Sequence, residues 1–118
     1  MNITHLIDTI KKHPNYDKVG MILCHNGVVR GTSRDGRNVS GLSVSVDYEK
    51  LEQIIREQKK RPGIIEILVE IAEGELSLGD DLMLLIVAGD IREHVIASLS
   101  DTLNAIKSTV TKKTEFFI

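Results

Sequence analysis

Apolar residues recur at three- and four-residue steps in three segments of the chain, which is the spacing of an amphipathic helix. The first segment ends at Pro14, and the second begins at Asp47 and stops at Pro62-Gly63. The third begins at Asp90, which has the spacing of a capping box with Glu93. The predicted core-facing residues are Ile3, Leu6, Ile7 and Ile10, then Tyr48, Leu51, Ile54 and Ile55, then Ile91, Val95, Ile96, Leu99, Leu103 and Ile106.

The segments between these helices have the composition or the polar-apolar alternation of β-strands. In order, they are Lys18–Val29, Asn38–Val46, Ile64–Ala72, Leu82–Ala88 and a short strand within Thr109–Ile118. Asn26-Gly27 predicts a bulge or a bend in the first of these strands, and Leu82–Ala88 is apolar enough to be the more central of the third and fourth. The order of elements predicts an α+β fold, with helices on a mostly antiparallel sheet that is elaborated by an inserted β-hairpin.

The loop Arg30–Arg37, which connects the first two predicted strands, is locally basic. Its Asp35-Gly36 pair supplies the positive φ angles of a tight turn. Three arginines within eight residues could bind phosphate or carboxylate in the bidentate manner of guanidinium groups. The alternative is a solvated loop without a ligand.

The 118 residues have the size of one domain, which we assign to residues 1–118. A formal net charge of -2 argues against nucleic-acid binding, and 3% aromatic residues argue against binding by stacking. Cys24 is the only cysteine, which excludes an internal disulfide. The chain has neither the pattern of a signal peptide nor the roughly 20 consecutive apolar residues of a membrane span. We therefore expect a cytoplasmic protein that does not bind membranes.

Lys107 is the first candidate for chemistry, because it lies at the edge of the apolar stripe of the third helix. Burial of its methylenes would partly desolvate the amine and favour the neutral form that transfers protons. A solvated lysine at a helix C-terminus is the alternative. Cys24 and His25 are adjacent in a strand and point to opposite faces, which excludes a catalytic dyad. The histidines lack metal-ligand spacing, so we expect neither a bound metal nor another cofactor.

Several short motifs occur in an order that resembles the large, catalytic subunit of molybdopterin synthase, from Val19 to Glu115. They are Gly27-Val28-Val29-Arg30, Gly36, the strand from Leu42 to Tyr48, Gly74-Glu75-Leu76, Gly79-Asp80, and Ile106-Lys107 followed by Lys112-Lys113. The resemblance implies an α/β-hammerhead fold and a role in molybdenum cofactor biosynthesis. The family's enzyme transfers sulfur to cyclic pyranopterin monophosphate and thereby forms the molybdopterin dithiolene.

The resemblance also implies partners. The large subunits form a homodimer, and a small ubiquitin-like sulfur-carrier subunit docks at each end to give a heterotetramer. The carrier ends in a Gly-Gly thiocarboxylate that enters a pocket of the large subunit.

By this resemblance Lys107 is the central acid, base or transiently acylated lysine, and Lys112 or Lys113 is the second lysine of the site. Arg30 would bind the anionic substrate. Arg92 would join the substrate site only from the partner subunit, because fifteen helical residues at about 1.5 Å each separate it from Lys107 by roughly 22 Å. The alternative for Arg92 is an ion pair with Asp90 or Glu93.

The chain departs from the family pattern at two histidine-arginine pairs, which correspond to Ile71-Ala72 and Ile91-Arg92. Loss of these histidines removes hydrogen-bond donors to substrate. Two alternatives to the enzyme therefore stay open. The chain could be a diverged, non-catalytic binding module that keeps the dimer and the carrier pocket. It could also be a ferredoxin-like ligand sensor in which Arg30–Arg37 binds phosphate; Lys107 and Arg30 would then lie in separate regions.

Overall fold

The computed structural model describes every residue from Met1 to Ile118. Its helices and strands follow the order expected of an α+β fold, and that prediction is confirmed. The elements are α1 (Ile3–Lys11), a 3₁₀ turn (Tyr16–Lys18), β1 (Met21–Val28), β2 (Val39–Val46), α2 (Tyr48–Lys59), β3 (Ile64–Ile71), β4 (Gly74–Ser77), β5 (Asp81–Gly89), α3 (Arg92–Thr109) and β6 (Thr111–Phe117).

The strands form two antiparallel sheets of three strands each, in the orders β1-β5-β3 and β4-β2-β6. The antiparallel pairing and the central position of β5 are as predicted. The division into two sheets was not predicted. Strand β4 has only four residues, and its sequence resembled a connection between strands. Consecutive strands β1 and β2 therefore belong to different sheets, and between them the chain makes only an isolated bridge from Thr32 to Asn38.

After the exposed Asp81, strand β5 has no polar side chain, because both of its faces are buried. One face carries Leu85 and Val87, which pack with Val95 and Ile106 of α3. The other face packs against α1, where Leu84, Ile86 and Ala88 cluster with Leu6 and Ile10. Helix α1 therefore covers one side of the β1-β5-β3 sheet, while α3 and α2 cover the other.

Two local predictions near strand and helix ends are confirmed. The register of β1 against β5 shifts between Gly27 and Val28, which is the expected bulge. Asp47 caps α2, and its carboxylate accepts a hydrogen bond from the Lys50 amide at 3.2 Å.

No helix of the chain is both long and apolar enough to cross a membrane.

The predicted start of α3 is wrong by one residue. Ile91 is the N-cap, and Asp90 instead accepts hydrogen bonds from the Ile91 amide at 2.7 Å and from His94 Nδ1 at 2.8 Å. Glu93 completes no capping box, because its carboxylate lies 3.6 Å from Arg92 Nε. The histidine provides a closer partner for Asp90 than the first-turn amides that a capping box would use.

The buried face of α3 is also rotated from the prediction. Ile91 and Ile96 are 50% and 51% exposed, whereas Ser98 and Thr102 are fully buried. Small polar residues allow α2 to approach closely, and Ser98 Oγ donates to Gln58 Oε1 at 3.4 Å. Apolar spacing alone could not show that these positions face a neighbouring helix.

Candidate active site

A hollow of about 560 Å³ is lined by residues of both sheets, by the end of α3 and by the loop after β1. Its ionisable lining residues are His25, Arg30, Arg34, Lys107, Lys113 and Glu115. The side-chain nitrogens of four of these residues have no carboxylate oxygen within 4.0 Å: Arg30, Arg34, Lys107 and Lys113. None of the ion pairs of the chain includes them. The hollow thus has four basic side chains and one acidic side chain, that of Glu115, and this excess of positive charge suits an anionic ligand.

Lys107 reaches the hollow from the last turn of α3. It follows the fully buried Ile106, which fixes this end of the helix against the core. The residue is exposed, which agrees with the solvated lysine, one of the two interpretations of Lys107. It lies one step beyond the buried face of α3, which is formed by Val95, Ser98, Thr102 and Ile106.

Strand β6 brings the second lysine to the hollow. Thr111, Lys113 and Glu115 alternate along β6 and all line the hollow. Lys112 does not line it, because adjacent strand residues point to opposite faces. The sequence left open which lysine belongs to the site, and the geometry favours Lys113.

The Lys113 ammonium is partly desolvated, although the residue as a whole is exposed. This desolvation lowers the pKa of Lys113, and the charge of Lys107 lowers it further. Glu115 opposes the shift, and Arg34 and Arg30 add to it. Lys113 is therefore the amine of the hollow that gives up its proton more readily than an ordinary lysine, as a nucleophile or a proton-transfer group must.

His25 is a lining residue that the sequence reasoning missed, because a single histidine has no motif. Burial lowers the pKa of His25, and the charge of Lys107 adds to the effect. The neutral imidazole is thus favoured beside the cations. Cys24 faces the other side of the sheet and packs with the α1 cluster, which confirms that the two cannot form a dyad. The alternation of β1, with His25 and Gly27 on one face, was the signal available in the sequence.

A family model described as "MoaE protein" matches residues 2–109. The chain belongs to the MoaE protein family. The resemblance noted in the sequence is thereby confirmed for nearly the whole chain. A search among curated proteins found no match.

Solved structures share the fold of this chain. The molybdopterin synthase of Staphylococcus aureus has a TM-score of 0.74 and 24% identity, with 86% of this chain and 77% of that chain covered. Molybdopterin cofactor biosynthesis protein E from Burkholderia multivorans has a TM-score of 0.78 and 21% identity, with coverages of 100% and 84%. A complex of subunits 1 and 2 of the Helicobacter pylori molybdopterin-converting factor includes a chain with a TM-score of 0.72 and 16% identity, with coverages of 99% and 84%.

In this MoaE family member, the three arginines of the basic loop lie in two different places. Arg30 and Arg34 line the hollow. Arg37 instead lies over the ring of Phe117, with its guanidinium carbon 3.7 Å from the ring centroid. Because Lys107 and Arg30 line the same hollow, the geometry does not favour the ferredoxin-like sensor over the enzyme.

Arg92 is not part of the hollow within one chain of this MoaE family member. Its side chain is 80% exposed at the start of α3, and its Nε lies 3.6 Å from Glu93. The ion pair with a neighbouring carboxylate, one of the two interpretations of Arg92, is thus present. An exposed ion pair of this kind contributes little stability and leaves Arg92 available to another molecule.

Proposed function

We propose that this chain is the large subunit of a molybdopterin synthase and acts in molybdenum cofactor biosynthesis. Its reaction would transfer sulfur from a thiocarboxylated small carrier to cyclic pyranopterin monophosphate. Membership in the MoaE protein family supports the pathway. The observation that carries the chemistry is the hollow in which Lys107, Lys113, Arg30 and Arg34 converge without a paired carboxylate.

Lys107 and Lys113 are the proposed reactive lysines. The carrier sulfur would replace a hydroxyl group on a carbon of the pterin, which leaves as water, and the bond between that sulfur and the carrier's acyl carbon must then break. A neutral amine, or a water molecule from which an amine takes a proton, attacks the acyl carbon and leaves the sulfur on the pterin. The acyl group remains on the amine or is released as a carboxylate. Either lysine can supply this amine or accept this proton; the lowered pKa of Lys113 suits the role, and the charge of Lys107 contributes to that lowering.

Arg30 is the proposed anion-binding residue, because a guanidinium group meets two phosphate oxygens at once. Arg92 would reach the substrate only from the partner subunit of a dimer. Lys112 stays a prediction of the sequence that the geometry of β6 does not favour.

The proposed assembly is a homodimer with one ubiquitin-like sulfur carrier, ending in Gly-Gly, at each end. The Helicobacter pylori complex of subunits 1 and 2 supports a small-subunit partner for this fold. We propose a cytoplasmic location, in agreement with the single cysteine of the chain. We also propose that residues 1–118 are one domain, since one core cluster joins side chains of both sheets, including Val44 and Leu85.

Reconstitution tests the proposal. The purified chain is mixed with a thiocarboxylated carrier and cyclic pyranopterin monophosphate, and dithiolene formation is measured for the wild type, Lys107→Ala and Lys60→Ala. Lys60 is an exposed lysine at the end of α2 and serves as the matched control. We expect product from the wild type and the control and at least about a 100-fold loss with Lys107→Ala. Product formation by Lys107→Ala at the wild-type rate would contradict the role of Lys107.

The second candidate is a binding module without turnover. It is favoured by Ile71-Ala72 and Ile91-Arg92, which stand where the family has histidine-arginine pairs. In the same reconstitution, this alternative predicts that the wild-type chain retains the carrier during gel filtration. It also predicts that no dithiolene forms at any carrier concentration. Product formation by the wild type excludes it.

A further inference from the structure

The arginine at position 34 shares the hollow with Arg30, although the family motif contains only the position of Arg30. Both residues lie in the segment between β1 and β2, four positions apart. Neither has a carboxylate within 4.0 Å. Two unpaired guanidinium groups therefore line one cavity and can approach one ligand from the same loop.

Hydrogen bonds within the loop fix the backbone on both sides of Arg34. The Ser33 amide donates to the Arg37 carbonyl at 2.8 Å, and the Gly36 amide donates to the Ser33 carbonyl at 3.0 Å. The buried Ser33 hydroxyl accepts from the Arg37 amide at 3.1 Å and donates to the Asp35 carboxylate. Gly36 has a φ of 88°, which permits this tight turn.

The neighbouring charged residues of the loop are held away from Arg34. The Asp35 carboxylate is engaged by the Ser33 hydroxyl, and this hydrogen bond is the main reason that the pKa of Asp35 is lowered. Arg37 stacks on Phe117 of β6. The loop thus uses one acid and one arginine for its own structure and leaves the other two arginines, Arg30 and Arg34, to the hollow.

We propose that Arg34 is a specificity-determining residue that binds, together with Arg30, the phosphate group of the pterin substrate. The inference rests on the proposed function and adds a second guanidinium to it. The cyclic phosphate carries one negative charge, as the carboxylate of a carrier terminus does, but its tetrahedral phosphorus directs its two free oxygens apart. A phosphate offers oxygens to both guanidinium forks at once. The contribution of Arg34 and Arg30 to the lowered pKa of Lys113 agrees with this proximity.

Calorimetric titration of the full chain tests the inference with three ligands: cyclic pyranopterin monophosphate, a phosphate-free pterin and the carrier with a carboxylate terminus. The variants are Arg34→Gln, Arg34→Lys and, as the matched charge control, Arg56→Gln on the exposed side of α2. We expect Arg34→Gln to weaken binding of the phosphate ligand about tenfold or more, because a charge-assisted bidentate contact is lost. Arg34→Lys should recover part of that loss. Binding of the other two ligands and the behaviour of Arg56→Gln should match the wild type.

The outcomes separate this inference from the proposed function. If the wild type prefers the phosphate ligand to the phosphate-free pterin but Arg34→Gln binds it unchanged, the inference alone is overturned. If Arg34→Gln weakens the carrier as much as the phosphate ligand, Arg34 is not phosphate-specific and the inference is also overturned. If the wild type shows no preference for the phosphate ligand, both the substrate assignment and the inference are overturned. A circular dichroism spectrum unchanged from the wild type shows that a variant is folded.

Discussion

Lys107 and Lys113 line one hollow from different elements, and the charge of Lys107 lowers the pKa of Lys113. The first lysine follows Ile106, the last buried residue of α3, and the second lies on β6 opposite Val44 of β2. Only the tight passage from helix to strand at Val110 brings the two amines to the same side. The charge of Lys107 therefore makes a second positive charge on Lys113 costlier, which favours the neutral form of Lys113 or a bound anion.

Of the two adjacent lysines of β6, only Lys113 is expected to be required for dithiolene formation. Lys113→Ala should lower the rate in the reconstituted assay at least about 100-fold, because it removes the partly desolvated amine. Lys112→Ala removes the same charge from the opposite face of the strand and should stay within about threefold of the wild type. A larger loss with Lys112→Ala than with Lys113→Ala would reverse the assignment.

His25 is expected to make the fold less stable in mild acid. Its pKa is lowered in the folded chain, so protonation is harder in the folded than in the unfolded state. The loss of folding stability is absent at a pH well above 6.5, the ordinary pKa of histidine. It grows as the pH falls through 6.5 and is complete below the pKa of His25 in the folded chain. The melting temperature of His25→Gln should therefore fall less between pH 7.5 and pH 5 than that of the wild type.

The control for this measurement is His5→Gln, which replaces an exposed histidine of α1 by the same residue. Its melting temperature should change with pH as the wild type's does. An identical decline in His25→Gln and the wild type would show that His25 is not desolvated.

Gly63 is expected to tolerate alanine worse than Gly79, although both have a positive φ, of 78° and 85°. A methyl group at Gly63 would collide with the Asp90 carboxylate and the His94 ring, whereas no atom lies within 4 Å at Gly79. Gly79→Ala should cost about 1 to 2 kcal/mol for the left-handed backbone. Gly63→Ala should add about 1 to 3 kcal/mol for overpacking. Urea denaturation of both variants measures the difference, and equal losses would contradict the predicted collision.

Arg92 is expected to act on the hollow of the partner subunit if it acts on substrate at all. A dimer made only of Lys107→Ala chains and a dimer made only of Arg92→Ala chains should both be inactive in the reconstituted assay. After unfolding and refolding together in equal amounts, half of the dimers should be mixed. Each mixed dimer has one site with intact Lys107 and Arg92, so about a quarter of wild-type activity should return. No recovery, with mixed dimers verified by mass spectrometry, would exclude a role in trans.

Features that depend on neighbouring residues could be predicted before the structure was known. The cap at Asp47, the bulge after Gly27 and the opposite orientation of Cys24 and His25 follow from local geometry, and each is found. The apolar run of β5 identified the central strand, because only a strand buried on both faces can lack polar positions. The order of short motifs was likewise sufficient to indicate the family.

Which distant side chains share the hollow depends on the tertiary structure and could not be predicted from the sequence. Pairing of β6 with β2, and of β5 with β1, brings Lys113 and His25 to one cavity, and such register is a property of both strands together. The rotation of α3 depends on the close approach of α2 at Ser98, which apolar spacing could not indicate. Arg34 and Arg37 look alike in the sequence, yet contact with Phe117, eighty residues further along the chain, separates their roles.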